Sequence, residues 1–248
     1  MIPARLAATR LPRKPLRLLG GTPLVLRVWE RVASWQLGHR VVIATDSPEV
    51  AATVSEAGAE CVMTAADHPS GTDRVAEVAG MPAFRGFDVV VNVQGDEPFV
   101  PEAAVRGATD IVVGRRYPLG TAVAPAGREA LASPDVVKVV CADDGRAMYF
   151  SRAPIPFVRD REHQALLRHT ARHHIGVYAY SRDALARWVA LPPHALERLE
   201  RLEQLRPLAA GMAMGTALIS EPAPVGIDTE DDLARANALW PDFIAGRV

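Results

Sequence analysis

"DVVVNVQGDEPFVP", residues 88–101, joins two unlike halves. Val89, Val90, Val91 and Val93 around Asn92 form a β-branched run with the composition of a strand buried on both faces. Gln94, Gly95, Asp96 and Glu97 then crowd the exit, and Pro98 stops the strand. Strand ends are commonly polar, so the two carboxylates have an ordinary reading as loop residues. They also have a functional one, because open α/β sheets bind ligands beyond the carboxyl ends of their strands. If strand geometry ran on past the valines, Glu97 would project from the face opposite Asp96.

The flanking sequence supplies the context. Before this strand come a stub at Met1-Ile2-Pro3, a basic loop over 4–22, and a helix opening at Pro23 and running to about Gln36. A strand over 41–44, a helix over 48–57 stopped by Gly58, a strand over 60–63 and a helix over 72–79 follow. This alternation predicts an α/β fold, mostly a parallel sheet with helices on both faces. Downstream, "VVKVVCADDGRAMYF" is two apolar runs around Asp143-Asp144-Gly145, which predicts an antiparallel hairpin appendage near 136–151. "HHIGVYAY" reads as a strand, "ALERLERLEQLRPLAAG" as one helix, 212–220 as a strand and 229–239 as a closing helix. No linker or repeat interrupts the pattern, so a single domain over 1–248 is expected.

Composition narrows the function. The chain has 248 residues, 49% of them hydrophobic, and a net charge of −1. A core of useful size is therefore possible, and no global field draws in nucleic acid or an anionic membrane. Cys61 and Cys141 are far apart and form no CxxC pair, and there is neither a membrane-length apolar run nor a signal-peptide core. A cytoplasmic location, with no membrane insertion and no nucleic-acid partner, is expected. The dinucleotide, P-loop, serine-hydrolase and HExxH motifs are all missing. His169, His173 and His174 read as polar or core histidines rather than zinc ligands. Lys14 and Lys138 are the only lysines among 28 basic residues, so each compact ammonium invites a reason.

"PARLAATRLPRKPL" carries Arg5, Arg10, Arg13 and Lys14, with Arg17 just beyond, and the first acid is Glu30. A transit peptide, a solvated loop and a polyphosphate cradle all fit the charge. Pro3, Pro12 and Pro15 disfavour the amphipathic helix of a transit peptide. The position after a first strand and before a first helix suits phosphate binding. A gathered polyanion and an acid at a neighbouring strand end are the ingredients of a Mg²⁺ site. Asp228 in "VGIDTEDDL" is a second such acid, or a residue serving a helix start, since Thr229 to Asp232 reads as a capping box.

With "ATDSPEV", "ADHPSGTDRVAEV", "SRAPIP" and "LEQLR" added, the chain resembles the CMP-Kdo synthetases, the 3-deoxy-manno-octulosonate (Kdo) cytidylyltransferases, nearly end to end. The resemblance implies a Rossmann-like three-layer nucleotidyltransferase fold and conversion of CTP and Kdo to CMP-Kdo and pyrophosphate, for lipopolysaccharide biosynthesis. It implies that Ala4, Arg5, Arg10 and Lys14 hold the ribose and triphosphate, and that Ser70, Gly71, Thr72 and Arg74 frame the cytosine. Asp96 and Asp228 would be magnesium ligands, and Arg10, Lys14, Asp96 and Asp228 the catalytic set. Gln94, Arg152, His174, Tyr178, Glu203 and Gln204 would line the sugar-acid pocket. A homodimer, formed through the 136–151 region, is also implied.

Two departures stand out. The family usually has a longer apolar run before Pro-Ala-Arg, so either the start is assigned late here or the first strand is short. Arg13 occupies a loop position where the family commonly has glycine, and an arginine does not adopt positive φ cheaply. A cytidylyltransferase for an amino-Kdo or a sialic acid is one rival. A non-catalytic CTP-binding domain is another, though it would have no need of paired metal carboxylates.

Overall fold

The valine run forms a strand at the predicted residues, Val89–Val93. The computed structural model describes residues 1–7, 10–37, 40–220 and 226–247. The chain begins with β1 (Ile2–Ala4), β2 (Leu18–Leu19), β3 (Thr22–Pro23), α1 (Leu24–Ser34), β4 (Val42–Thr45) and α2 (Pro48–Glu56). It continues through β5 (Glu60–Met63), α3 (Gly71–Gly80), β6 (Val89–Val93), α4 (Glu102–Val113), β7 (Leu119–Pro125) and α5 (Arg128–Ala132). Then come β8 (Lys138–Cys141), β9 (Ala147–Ser151), α6 (Leu167–Thr170), β10 (Arg172–Ser181) and α7 (Arg182–Ala190). The chain closes with α8 (Ala195–Glu200), α9 (Leu205–Ala209), β11 (Met214–Leu218) and α10 (Glu230–Ile244).

These elements divide into two compact units. The first takes 1–85, 92–100 and the C-terminal segment bearing α10; the second takes 86–91 and the stretch from 101 through β11. In the first, β1, β4 and β5 pair in parallel, with Ile2 opposite Ile43 and Ala44 opposite Val62. Every residue of β4 is buried, as its unbroken apolar run requires. Helix α2 starts where Ser47 Oγ accepts the Val50 N–H and ends before Gly58, whose φ is +76°. Leu11, Leu19 and Leu24 from the basic loop and α1 share a core with Phe99, Ile227, Leu233, Ala236 and Trp240. Phe99 meets the Trp240 and Phe243 rings edge-on, at 5.8 and 4.8 Å. That core seats both the basic loop and the start of α10 on the residues just past β6.

The second unit holds a mixed sheet in the order β11-β7-β10-β8-β9, with β6 pairing β10. Strands β11 and β7 are parallel, while β10 runs antiparallel to both β7 and β8. Helix α4 packs on β7, β10 and β11. Gly120 makes that approach possible, since a β-carbon there would lie 2.2 Å from the Ala108 carbonyl oxygen.

The parallel pairing and the antiparallel β8–β9 hairpin are as expected, and β7–β10 adds a second antiparallel pair. Two expectations are corrected. The single helix expected over 195–211 is two, broken at Arg201 in the left-handed region with φ 54°. Finally, α10 continues through Pro241 to Ile244, where Trp240 and Phe243 on either side of the proline pack on Phe99.

Candidate active site

The exit of β6 is shaped by close backbone approach. A β-carbon on Gly95 would stand 2.8 Å from the Pro3 carbonyl oxygen, so only glycine lets this turn lie against β1. The Glu97 N–H donates to the Gln94 carbonyl at 3.2 Å, and this tight turn ends the strand alternation. Glu97 therefore does not project away from Asp96, as continued strand geometry would have had it. It is half-buried beside Asp96, Lys14 and Asp228, and its carboxyl is pushed up to about 8. Burial is the first cause, the Asp96 and Asp228 charges add to it, and Lys14 opposes it. Pro98 right after two acids was the available signal for that turn.

Lys14 sits at the centre. Its ammonium donates to Asp228 Oδ1 at 2.6 Å and to Asp96 Oδ2. Burial alone would lower its pKa, but attraction to Asp96 and Asp228 outweighs that and raises it. Arg10 donates to the other Asp228 oxygen at 2.7 Å from an exposed position. Asp228 is brought there by backbone as well, since the Ile227 N–H donates to the Asp96 carbonyl at 3.0 Å. The capping box at α10 belongs to Thr229 and Asp232. The Asp228 side chain is thus not the cap and faces Arg10 and Lys14 instead. Arg13 does take positive φ, at 58°, and its guanidinium pairs with Glu49.

The "SGTDR" stretch forms the start of α3. Ser70 is the N-cap, its Oγ accepting the Asp73 N–H at 3.3 Å and donating to Asp73 Oδ2 at 2.6 Å. Gly71 follows, with Thr72 and Arg74 buried on the helix. The Arg74 guanidinium bonds Thr64 Oγ1 and the Ala65 carbonyl and lies 3.3 Å from Asp46 Oδ1. Ala4 is buried at the end of β1, Arg5 is exposed and Gln94 is half-buried. Asp46, at the end of β4, is a further strand-end acid that sequence reasoning did not single out.

Arg152, His174, Tyr178, Glu203 and Gln204 all lie in the second unit. His174 and Tyr178 are buried on β10 amid Phe150, Tyr180 and Trp188. Thr121 Oγ1 donates to the Val177 carbonyl at 2.7 Å and lies 2.9 Å from His174 Nε2. With its only proton committed, that hydroxyl must accept, so Nε2 carries the ring proton. Burial, and then His173, lower the His174 pKa to about 3, so the ring is neutral. Gln204 is buried and Glu203 half-buried at the break between α8 and α9. Arg152 follows β9 and is half-buried.

The donor chemistry of the first unit suits a hard divalent cation. Asp96 and Asp228 already converge on one positive charge, the Lys14 ammonium, and both offer only oxygen. Among the described residues no group of three or more His, Cys, Asp or Glu could hold a metal by itself, so further ligands would have to come from phosphate and water.

A profile of the cytidylyltransferase family matches residues 1–214, which leaves Asp228 just outside it. The chain is 59% identical over 240 residues to a 3-deoxy-manno-octulosonate cytidylyltransferase of Gemmatimonas aurantiaca, covering 97% of this chain and 93% of that one. It is 48% identical over 250 residues to the enzyme of that name from Stenotrophomonas maltophilia, covering 98% and 97%. A solved CMP:2-keto-3-deoxy-manno-octonic acid synthetase complexed with CTP superposes with a TM-score of 0.86 at 35% identity, covering 98% and 97%. The inositol-1-phosphate CTP transferase of T. maritima shares the fold alone, with a TM-score of 0.66 at 13% identity. Sequence, fold and the carboxylates gathered at a strand end thus lead to one conclusion: the chain belongs to the cytidylyltransferase family.

Proposed function

We infer that the chain transfers the cytidylyl group of CTP to 3-deoxy-manno-octulosonate, forming CMP-Kdo and pyrophosphate. The observation that carries this is the 59% identity, over 97% of the chain, to a relative named for that reaction. The anomeric hydroxyl oxygen of the sugar acid forms a bond to the α-phosphorus. The bond from that phosphorus to the β-phosphate's bridging oxygen breaks, and the hydroxyl proton is lost to solvent.

The first unit is proposed to take the nucleotide. Arg10 and Lys14 would leave their carboxylate partners to hold triphosphate oxygens, Arg as a fork and Lys as a point charge. Ala4 and Arg5 would lie along the ribose. Ser70, Gly71 and Thr72 would border the base, with Arg74 stiffening that wall through Thr64, Ala65 and Asp46. Asp96 and Asp228 are the residues proposed to hold Mg²⁺, which when bound would neutralise charge on the triphosphate. A rigid strand exit and a capped helix start hold both acids in place, so little reorganisation is needed when charge develops.

Gln94, Arg152, His174, Tyr178, Glu203 and Gln204 are proposed to bind the sugar acid. Arg152 suits its carboxylate, Glu203 accepts from its hydroxyls, and neutral His174 offers Nδ1 as an acceptor. A homodimer through the hairpin region is part of the same proposal. The test is pyrophosphate release from CTP, and from ATP as control, across Kdo, an amino-Kdo and a sialic acid. Release with CTP and Kdo is expected to exceed every other pairing. Preference for another sugar acid, or no release at all, overturns the assignment.

A further inference from the structure

The Lys138 side chain is 0% exposed. Its ammonium donates three hydrogen bonds, to the carbonyls of Ser133 and Val136, each at 2.7 Å, and to that of Arg152. Three carbonyls converging on one nitrogen suit a tetrahedral ammonium and not a planar guanidinium, which explains a lysine in an arginine-rich chain.

Arg152 is held on the other side by Glu200. The Arg152 N–H donates to Glu200 Oε2 at 2.9 Å, and its Nε donates to the Glu200 carbonyl at 2.9 Å. Nη1 donates to the Pro134 carbonyl at 3.0 Å. Ser151 Oγ donates to Glu200 Oε1 at 2.6 Å and accepts the Ala153 N–H at 3.0 Å. Both carboxylate oxygens of Glu200 are therefore engaged with residues 151 and 152. Glu200 is the last residue of α8, and the left-handed Arg201 turns the chain there. So the helix break missed in the sequence lies at the residue that clamps Arg152. Anchored along one edge, the guanidinium keeps Nη2 without a hydrogen bond among the described residues. A long side chain, costly in rotamer entropy to immobilise, is thereby ordered before any ligand arrives.

We propose that Lys138 and Glu200 are positioning residues that preorganise Arg152 to receive a carboxylate, an inference that rests on the reading that Arg152 binds the carboxylate of the sugar acid. Lys138 fixes the Arg152 backbone from its carbonyl. Glu200 fixes both the backbone and the direction of the guanidinium.

Steady-state kinetics of Glu200→Gln, Lys138→Met, Arg152→Ala and the Arg152→Ala/Glu200→Gln double variant test it, with thermal melting to confirm folding. Glu200→Gln is expected to raise KM for the sugar acid about tenfold, since small misplacement of a binding group is costly. KM for CTP and kcat should stay within about twofold. In the Arg152→Ala background, Glu200→Gln should add nothing, because the group it positions is gone. If Lys138→Met does not fold, the Glu200 arm decides. An unchanged sugar-acid KM in Arg152→Ala overturns the reading of Arg152 itself. A raised KM in Arg152→Ala but not in Glu200→Gln overturns this inference alone, as does an equal Glu200→Gln effect in both backgrounds.

Discussion

Lys14 Nζ lies 2.6 Å from Asp228 Oδ1, although 214 residues separate the two. The same ammonium contacts Asp96, so one cation joins the exit of β6 to the start of α10. The contact is partly buried, with the Lys14 side chain only 15% exposed. On the proposed function a polyphosphate would replace the carboxylates as partner to Lys14 and free them for a metal.

Asp96→Asn and Asp228→Asn each remove a charge while keeping shape. Each is expected to cost about 10²–10³ in turnover, the usual loss for one preorganised electrostatic contact. The double variant should be little worse than the poorer single one, because both acids act as a unit. Glu97 shares this cluster, so it cannot serve as the unaffected neighbour. Glu49→Gln is the better control, since Glu49 pairs with Arg13 at an exposed site. Turnover against magnesium concentration checks the set, and mild, equal effects with unchanged magnesium dependence would remove the metal role.

Lys14→Arg keeps the charge and alters its shape. A planar fork cannot place one nitrogen between two carboxylates from different elements as the ammonium does. A loss of about tenfold or more in kcat is expected, within the range for a displaced electrostatic contact. Turnover equal to wild type would show that charge alone matters at this position.

Lys138→Met keeps length and burial but leaves three carbonyls without their donor. Stranding buried acceptors costs about 1–3 kcal/mol each, part of it offset because an ammonium no longer has to be buried. A net loss of about 2–3 kcal/mol in urea unfolding is expected. A change below about 0.5 kcal/mol, typical of surface sites, would contradict the buried role.

His174 gives a pH dependence whose sign is fixed. Its pKa is about 3 when folded, against 6.5 for an ordinary histidine. Between those values the unfolded chain binds a proton that the folded one refuses, so stability is full above 6.5 and falls as pH drops toward 3. The slope from this residue is at most about 1.4 kcal/mol per pH unit. His174→Gln keeps an N–H for Thr121 and cannot titrate. Urea unfolding of both proteins between about pH 7 and pH 4.5 should show the wild type losing more stability. Parallel slopes would mean that His174 titrates normally.

Local patterns determined much of this protein unaided. The β-branched run over 89–93 placed β6 residue for residue, because such side chains favour an extended backbone. Gly58, Gly145 and the Thr229–Asp232 box marked their turns and caps, since these depend on the backbone of a few adjacent residues. The basic loop and the two strand-end acids were likewise visible as charge out of place.

Only the tertiary structure decided what those charges face. That Glu97 joins Asp96 depends on the Gly95 turn packing against Pro3, and that Asp228 meets Lys14 depends on the Leu11–Phe99–Trp240 core. The third carbonyl at Lys138 comes from Arg152, 14 residues on, and Glu200 beside the Arg201 break reaches residues 48 and 49 positions away. Pro207 is the local break signal in "ALERLERLEQLRPLAAG", but it does not mark Arg201 itself, next to which Glu200 bonds residues 151 and 152. Pairing across such distances follows from packing and long-range hydrogen bonds, which no short window of sequence contains.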